Sequence, residues 1–165
     1  MKSMKQICWV IFILMLSSCE TPTLQNVLDA DQIVAKNNTK IAIKTGVSGT
    51  LLKIEGDCMP TRGISTCKEY PVSRTLYVYE YTTFLNVVGY GPLYYTVNSK
   101  LIGLCTADTE GFFQIALLPG KYSIFIKEND GLYANGLDGQ GGINPVTVKT
   151  DSVSSIKLML SYAVY

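Results

Sequence analysis

The chain has 165 residues, 47% of them apolar and 16% charged, with 14 basic residues against 13 acidic ones and no histidine. That length fits one ordinary domain with a short leader and excludes an enzyme of several modules. The near balance of charge disfavours a nucleic-acid partner, and without imidazole there are no Ser-His or Cys-His nucleophiles, no histidine zinc sites and no histidine pH switch.

The first segment, Met1 to Gln6, carries Lys2 and Lys5 and is followed by the uncharged apolar run Ile7 to Leu16, the layout of a secretory signal peptide. The run is well short of the roughly 20 residues that a spanning helix needs. It ends in Leu16-Ser17-Ser18-Cys19, which resembles the bacterial lipobox, where small residues precede a cysteine whose thiol becomes thioether-linked to diacylglycerol. The resemblance implies that residues 1–18 are removed and that Cys19 becomes an acylated N-terminus carrying palmitate-type chains. Each buried methylene then contributes about 0.8 kcal/mol, so membrane lipid is a partner without any spanning segment. The implied place is the bacterial cell envelope, at the outer membrane, on its periplasmic or its surface face. Loss of Lys2 and Lys5 turns the formal net charge of +1 into −1. Such a chain has no electrostatic steering toward an anionic surface.

Residues 19–40 are polar with spaced apolar positions. They permit one short helix after a cap at Thr23, although a tether is the simpler reading. From Ile41 to Tyr165 apolar or β-branched runs recur every ten to fifteen residues, and no helical period is sustained. The predicted strands are Ile41 to Ile54, Thr75 to Phe84, Tyr94 to Asn98, Leu101 to Thr106, Phe112 to Leu118, Tyr122 to Lys127, Asn144 to Lys149 and Ser155 to Tyr162. Seven or eight strands without crossover helices make an all-β sandwich, Ig-like in architecture, over residues 41–165. Alternation puts Phe113, Ile115 and Leu117 on one face, then Tyr122, Ile124 and Ile126, and finally Ile156, Leu158, Leu160 and Tyr162. The opposite face of the second of these strands, Lys121, Ser123, Phe125 and Lys127, reads as mixed and wet. Pro119-Gly120 favours a type II turn, so the strands on either side of it can belong to different sheets.

Five cysteines remain to be placed. Cys8 leaves with the leader and Cys19 takes lipid. In an oxidising envelope Cys58 and Cys67, flanking Pro60 and Gly63, are the expected disulfide, leaving Cys105 as a small buried hydrophobe.

The segment Thr106-Ala107-Asp108-Thr109-Glu110-Gly111-Phe112, continued through Pro119-Gly120-Lys121-Tyr122 to Ile126, resembles the carboxypeptidase regulatory-like, transthyretin-like (prealbumin-like) β-sandwich family. Gly46-Val47-Ser48-Gly49 is similar to that family's first strand, and the tail from Asp130 to Val146 is similar to single-domain lipoproteins of the bacterial envelope. The resemblance implies a module with no catalytic position, metal or cofactor, serving to bind or to support. The insert from Asp57 to Arg74 departs from the family pattern.

Three candidate sites stand beside that expectation. With Leu76 and Val78 facing the core, Tyr77, Tyr79 and Tyr81 would form an exposed ladder able to stack on a glycan or an envelope protein, although paired strand aromatics need no ligand at all. The loop 128–142 carries Asp130 and Asp138 among Asn and Gly, a composition that suits calcium but is equally that of Asx-Gly turns. Glu80 with Asp108 or Glu110 is the acid pair that a glycan-acting hydrolase would require. The expected role is a non-catalytic binding or structural module. The alternative is an accessory subunit docking on an outer-membrane transporter or envelope enzyme.

Overall fold

The computed structural model describes residues 29–59 and 66–165. The leader, Cys19, Thr23, Pro60 and Gly63 lie outside those residues. The first element is a helix, α1 (Ala30–Asn38), opened by a capping box. The Asp29 carboxylate accepts from the Gln32 backbone N–H at 2.8 Å and the Gln32 side chain accepts from the Asp29 N–H at 3.2 Å. Ile33 and Asn37, one turn apart, are its buried residues. Asn37 Nδ2 donates to Thr50 Oγ1 at 3.0 Å and to the Glu110 carbonyl at 2.9 Å. This part of the expected tether is therefore docked on the sandwich, and the packed body begins ahead of position 41.

Eleven strands follow among the described residues, namely β1 (Gly46–Asp57), β2 (Lys68–Pro71), β3 (Thr75–Glu80), β4 (Val87–Tyr90), β5 (Leu93–Val97), β6 (Leu101–Thr106), β7 (Phe112–Ala116), β8 (Gly120–Glu128), β9 (Gly131–Tyr133), β10 (Pro145–Val148) and β11 (Val153–Val164). They form an all-β sandwich of a four-stranded and a seven-stranded sheet. In the small sheet β1 runs between β11 on one side and β7 and β2 on the other; in the large sheet the order is β4-β5-β9-β8-β3-β6, with β10 also on β8. β1 and β11 pair in parallel from Gly46 opposite Val153 to Asp57 opposite Val164, and the other pairings are antiparallel. β2, β4 and β9, of three or four residues each, are too short to produce the alternation that a sequence reading depends on. The disulfide Cys58–Cys67 joins the end of β1 to the approach to β2, as the cysteine spacing predicts.

The core between the sheets takes Val47 and Leu51 from β1, Phe113 from β7, and Leu158 and Leu160 from β11. From the large sheet it takes Leu76, Val78, Tyr122, Ile124 and Ile126. These are the inward positions of the alternation, except that Tyr162 is 44% exposed. The crossing from the large sheet to the small one is the Asp-x-x-Gly-x-Phe segment. Asp108 Oδ1 accepts from the N–H groups of Glu110 and Phe112, and Gly111 adopts φ +75° where a Cβ would collide with the Leu51 carbonyl. The crossing back is Leu117 to Gly120, so β7 and β8 do lie in different sheets.

One expectation is corrected. Ser123 and Phe125, on the supposedly wet face of β8, are both 0% exposed. Side chains from the β4–β5 end of this same sheet and from the segment 134–143 close over the outward side of β3 and β8 and make a second core of Tyr79, Tyr94, Phe125, Leu132, Ala134 and Ile143. The Ser123 hydroxyl is satisfied there, accepting from the Thr82 N–H at 3.0 Å.

Candidate functional site

The tyrosines expected to form an exposed ladder are under this outer layer. Tyr79 is 9% exposed, stacks on the half-buried Tyr77 with ring centroids 6.4 Å apart, and meets Phe125 edge-on at 5.6 Å. Burial pushes the Tyr79 hydroxyl above its ordinary range. Tyr81 is occupied otherwise: its hydroxyl donates to Asp138 Oδ2 at 2.8 Å and the Lys121 ammonium sits 4.0 Å from its ring centroid. Leu76 and Val78 do face the main core, but the opposite side of β3 faces protein rather than water. The reason is tertiary, because the covering layer comes from segments on both sides of β8 in the chain.

Where the covering layer stops, it leaves a cleft of about 540 Å³. One wall is the hairpin tip, where Gly91 and Pro92 are joined by a cis peptide bond. Across from it stand Phe84, from the short 3-10 turn ahead of β4, and Leu137, from the segment after β9. Phe84 is 49% and Leu137 59% exposed, and Tyr90, just before Gly91, is 92% exposed. Two tyrosines reach the floor and differ in how their hydroxyls are used. The Tyr133 hydroxyl accepts from the Ser161 N–H at 3.0 Å. Tyr94 is 2% exposed and packs edge-on against Phe125 at 5.7 Å. Its hydroxyl has no hydrogen-bond partner among the described residues, and burial alone raises its pKa. A Cβ at position 91 would lie 2.9 Å from that oxygen, so glycine keeps the space above it open. No lining residue carries a charge at neutral pH.

The ionisable groups of interest lie elsewhere. Glu110 binds Lys36 and Lys40, and those hydrogen bonds, the Lys36 bond first, hold its carboxyl down at about 2. Asp138 is held well below the carboxylate range, first by Lys121 and then by the Gln140 N–H. Its Oδ1 accepts from the N–H groups of Gln140 and Gly142 and its Oδ2 from Tyr81 and Lys121, so both oxygens are engaged by protein donors. The structure does not bring Glu80 to the Asp108–Glu110 turn. Thr75 pairs with Thr106 at one end of β3 while Glu80 closes the other, and five residues of strand span about 17 Å. Burial pushes the Cys105 thiol up to about 11, and the residue packs against the main core while only half-buried, short of the full burial its apolar neighbours lead one to expect.

Sequence reasoning overlooked Phe84, Pro92, Asn135 and Leu137 as members of one site. A partial signal was present, since Val87 to Tyr90 and Leu93 to Val97 flank Gly91-Pro92, a turn pair between two short apolar runs. Comparison of the chain with protein-family models, with curated proteins and with solved structures finds no match.

Proposed function

We propose that this chain is a lipid-anchored protein of the bacterial cell envelope whose sandwich, of the carboxypeptidase regulatory-like (transthyretin-like) type, binds rather than catalyses. The anchoring half of the reading is supported by the charged start, the short apolar run and Leu16-Ser17-Ser18-Cys19. The binding half is carried by one observation, the cleft beneath the hairpin tip, with apolar walls, uncharged polar groups and an unpartnered tyrosine hydroxyl at its floor. Small-molecule sites have this composition, mostly apolar with a few placed polar groups. The carboxylates with the lowest pKa values, Glu110 and Asp138, are tied into ion pairs and are not among the residues lining the cleft.

The anchoring claim is tested by Cys19→Ala in the native host. The variant is expected to move from the membrane fraction to the soluble fraction, because acyl chains are the sole attachment in this reading. Full membrane retention would refute it.

A second reading, an accessory subunit for a transporter or envelope enzyme, is favoured by β6. Among the described residues that strand pairs with β3 alone, and it exposes Leu101, Ile102 and Leu104, an apolar strand edge of the kind that a partner strand can extend. Cross-linking in membranes followed by Leu104→Lys distinguishes the two: loss of a constant large partner supports the accessory role.

A further inference from the structure

We propose that the cleft at the hairpin tip is a site for an uncharged saccharide, with one sugar ring held between Phe84 and Pro92 and one of its hydroxyls bonded to Tyr94. The proposal rests on the reading of the chain as a binding module and names the class of ligand. It begins from the Tyr94 hydroxyl, which sits on a side chain only 2% exposed, has no hydrogen-bond partner among the described residues, and opens its oxygen to the cleft beside Gly91. A hydroxyl that opens to a cleft without a protein partner is hydrogen-bonded to water when the cleft is empty, and whatever displaces that water has to replace the bond.

The chemistry of that entrant follows by comparing ligand classes. A wholly apolar molecule would fill the walls but seal the hydroxyl from water with nothing to bond. A charged molecule would have to leave water for a cleft with no counter-charge, since its lining is Phe, Gly, Pro, Tyr, Ala, Asn, Leu and Ser. An extended peptide added to the nearest strand edge has little to pair with. β4 is four residues long, and its register breaks between Val88 and Gly89, a bulge that blunts strand addition. A neutral sugar meets all three conditions. Its ring C–H face is apolar enough for Phe84 and Pro92, its hydroxyls both donate and accept, and it carries no charge.

Two further features fit a saccharide longer than one unit. The cleft, about 540 Å³, lies within the range of roughly 300–1,000 Å³ usual for small-molecule sites. It is also open at the tip, where Tyr90 is almost wholly exposed beside Gly91 and offers a second ring face. Asn135 lines the same cleft and is solvent-exposed, so its amide can serve a hydroxyl nearer the mouth.

The experiment uses the purified full chain and a panel of neutral oligosaccharides built from glucose, galactose, mannose and N-acetylglucosamine, with amide chemical shifts as the readout. A uronate oligosaccharide, an apolar dye and an unrelated extended peptide serve as controls. At least one neutral oligosaccharide is expected to bind at millimolar concentration or below, shifting Gly91, Tyr94 and Asn135. Tyr94→Phe keeps the ring and is expected to weaken that binding about fivefold through loss of one hydrogen bond. Phe84→Ala, at a half-exposed position, is expected to weaken it several-fold, and an unchanged melting temperature in either variant shows that the fold is intact. Binding of the dye or peptide alone, sugar binding indifferent to both substitutions, or no sugar binding at all would each overturn the assignment. Dye or peptide binding lost in Tyr94→Phe would overturn the saccharide while leaving a binding module standing. A cleft that takes none of the probes would count against both.

Discussion

The two outer faces of the sandwich are closed by opposite means. On the small sheet, α1 is held by polar contacts: Asn37 to Thr50 and Glu110, and Lys36 and Lys40 to the Asp108–Glu110 turn. Its buried layer is imperfect, for Asn37 Oδ1 and, on the same face of β1 as Thr50, Ser48 Oγ are buried with no hydrogen-bond partner among the described residues. On the large sheet the hairpin is held by aromatic packing, with Phe125 meeting both Tyr79 and Tyr94 edge-on. The lysine ion pairs on that surface are weak and sensitive to salt and pH, whereas a packed aromatic cluster is neither. The cleft sits on the packed side. A binding surface there has rigid walls, because Tyr94 is fixed by the same rings that hold the layer.

The contrast can be broken most forcefully at Phe125. Phe125→Ala removes the centre of the outer core and is expected to lower stability by about 3–5 kcal/mol in urea unfolding, comparable to Phe113→Ala in the main core. A loss below about 1 kcal/mol would mean that the hairpin is an appendage rather than part of the cooperative fold. Asn37→Ala should cost less, about 1–2 kcal/mol, because two hydrogen bonds vanish along with one orphaned oxygen. Amide exchange should show α1 loosened while the hairpin keeps its protection. Equal loss of protection on both faces would show that the helix is coupled to the whole sandwich.

The smallest effect concerns acid. The Glu110 carboxyl titrates at about 2 in the folded chain against 4.5 ordinarily, because Lys36 and Lys40 bond its charged form. A depressed carboxylate contributes stability that is complete above the ordinary value and is lost as pH falls through the folded one. Exchange protection of α1 should therefore decline between about pH 4.5 and pH 2 and decline less in Glu110→Gln, with salt reducing the difference. An acid response of α1 that is identical in wild type and Glu110→Gln would remove Glu110 from the account.

Much of the fold was legible because alternation is a local property. Phe113, Tyr122, Ile124, Ile126, Leu158 and Leu160 each declare an inward face through neighbours two positions away, and each is buried in the main core. Cys58 and Cys67 declared their bond by proximity and by the lack of a third cysteine nearby. Ser123 and Phe125 could not be read in the same way. The middle of β8, Tyr122 to Ile126, is buried on both faces while Lys121 and Lys127 at its ends stay exposed, and the cover over that middle comes from residues 84–97 and 134–143, outside the strand itself. The same dependence on other segments hid the cleft, whose walls Phe84, Pro92 and Leu137 meet only after the hairpin and the later segment have come together.

What the sequence determined by itself is the two-residue rhythm of the strands, the turn chemistry of Asp108 to Phe112, and the near-neutral charge. Each follows from interactions within a few residues. The tertiary structure alone decided which strand faces meet protein rather than water, where Glu80 stands relative to Asp108, and that the Tyr94 side chain lines a cleft. Those outcomes depend on segments brought together by collapse onto a common core, and no local pattern encodes the identity of the neighbour.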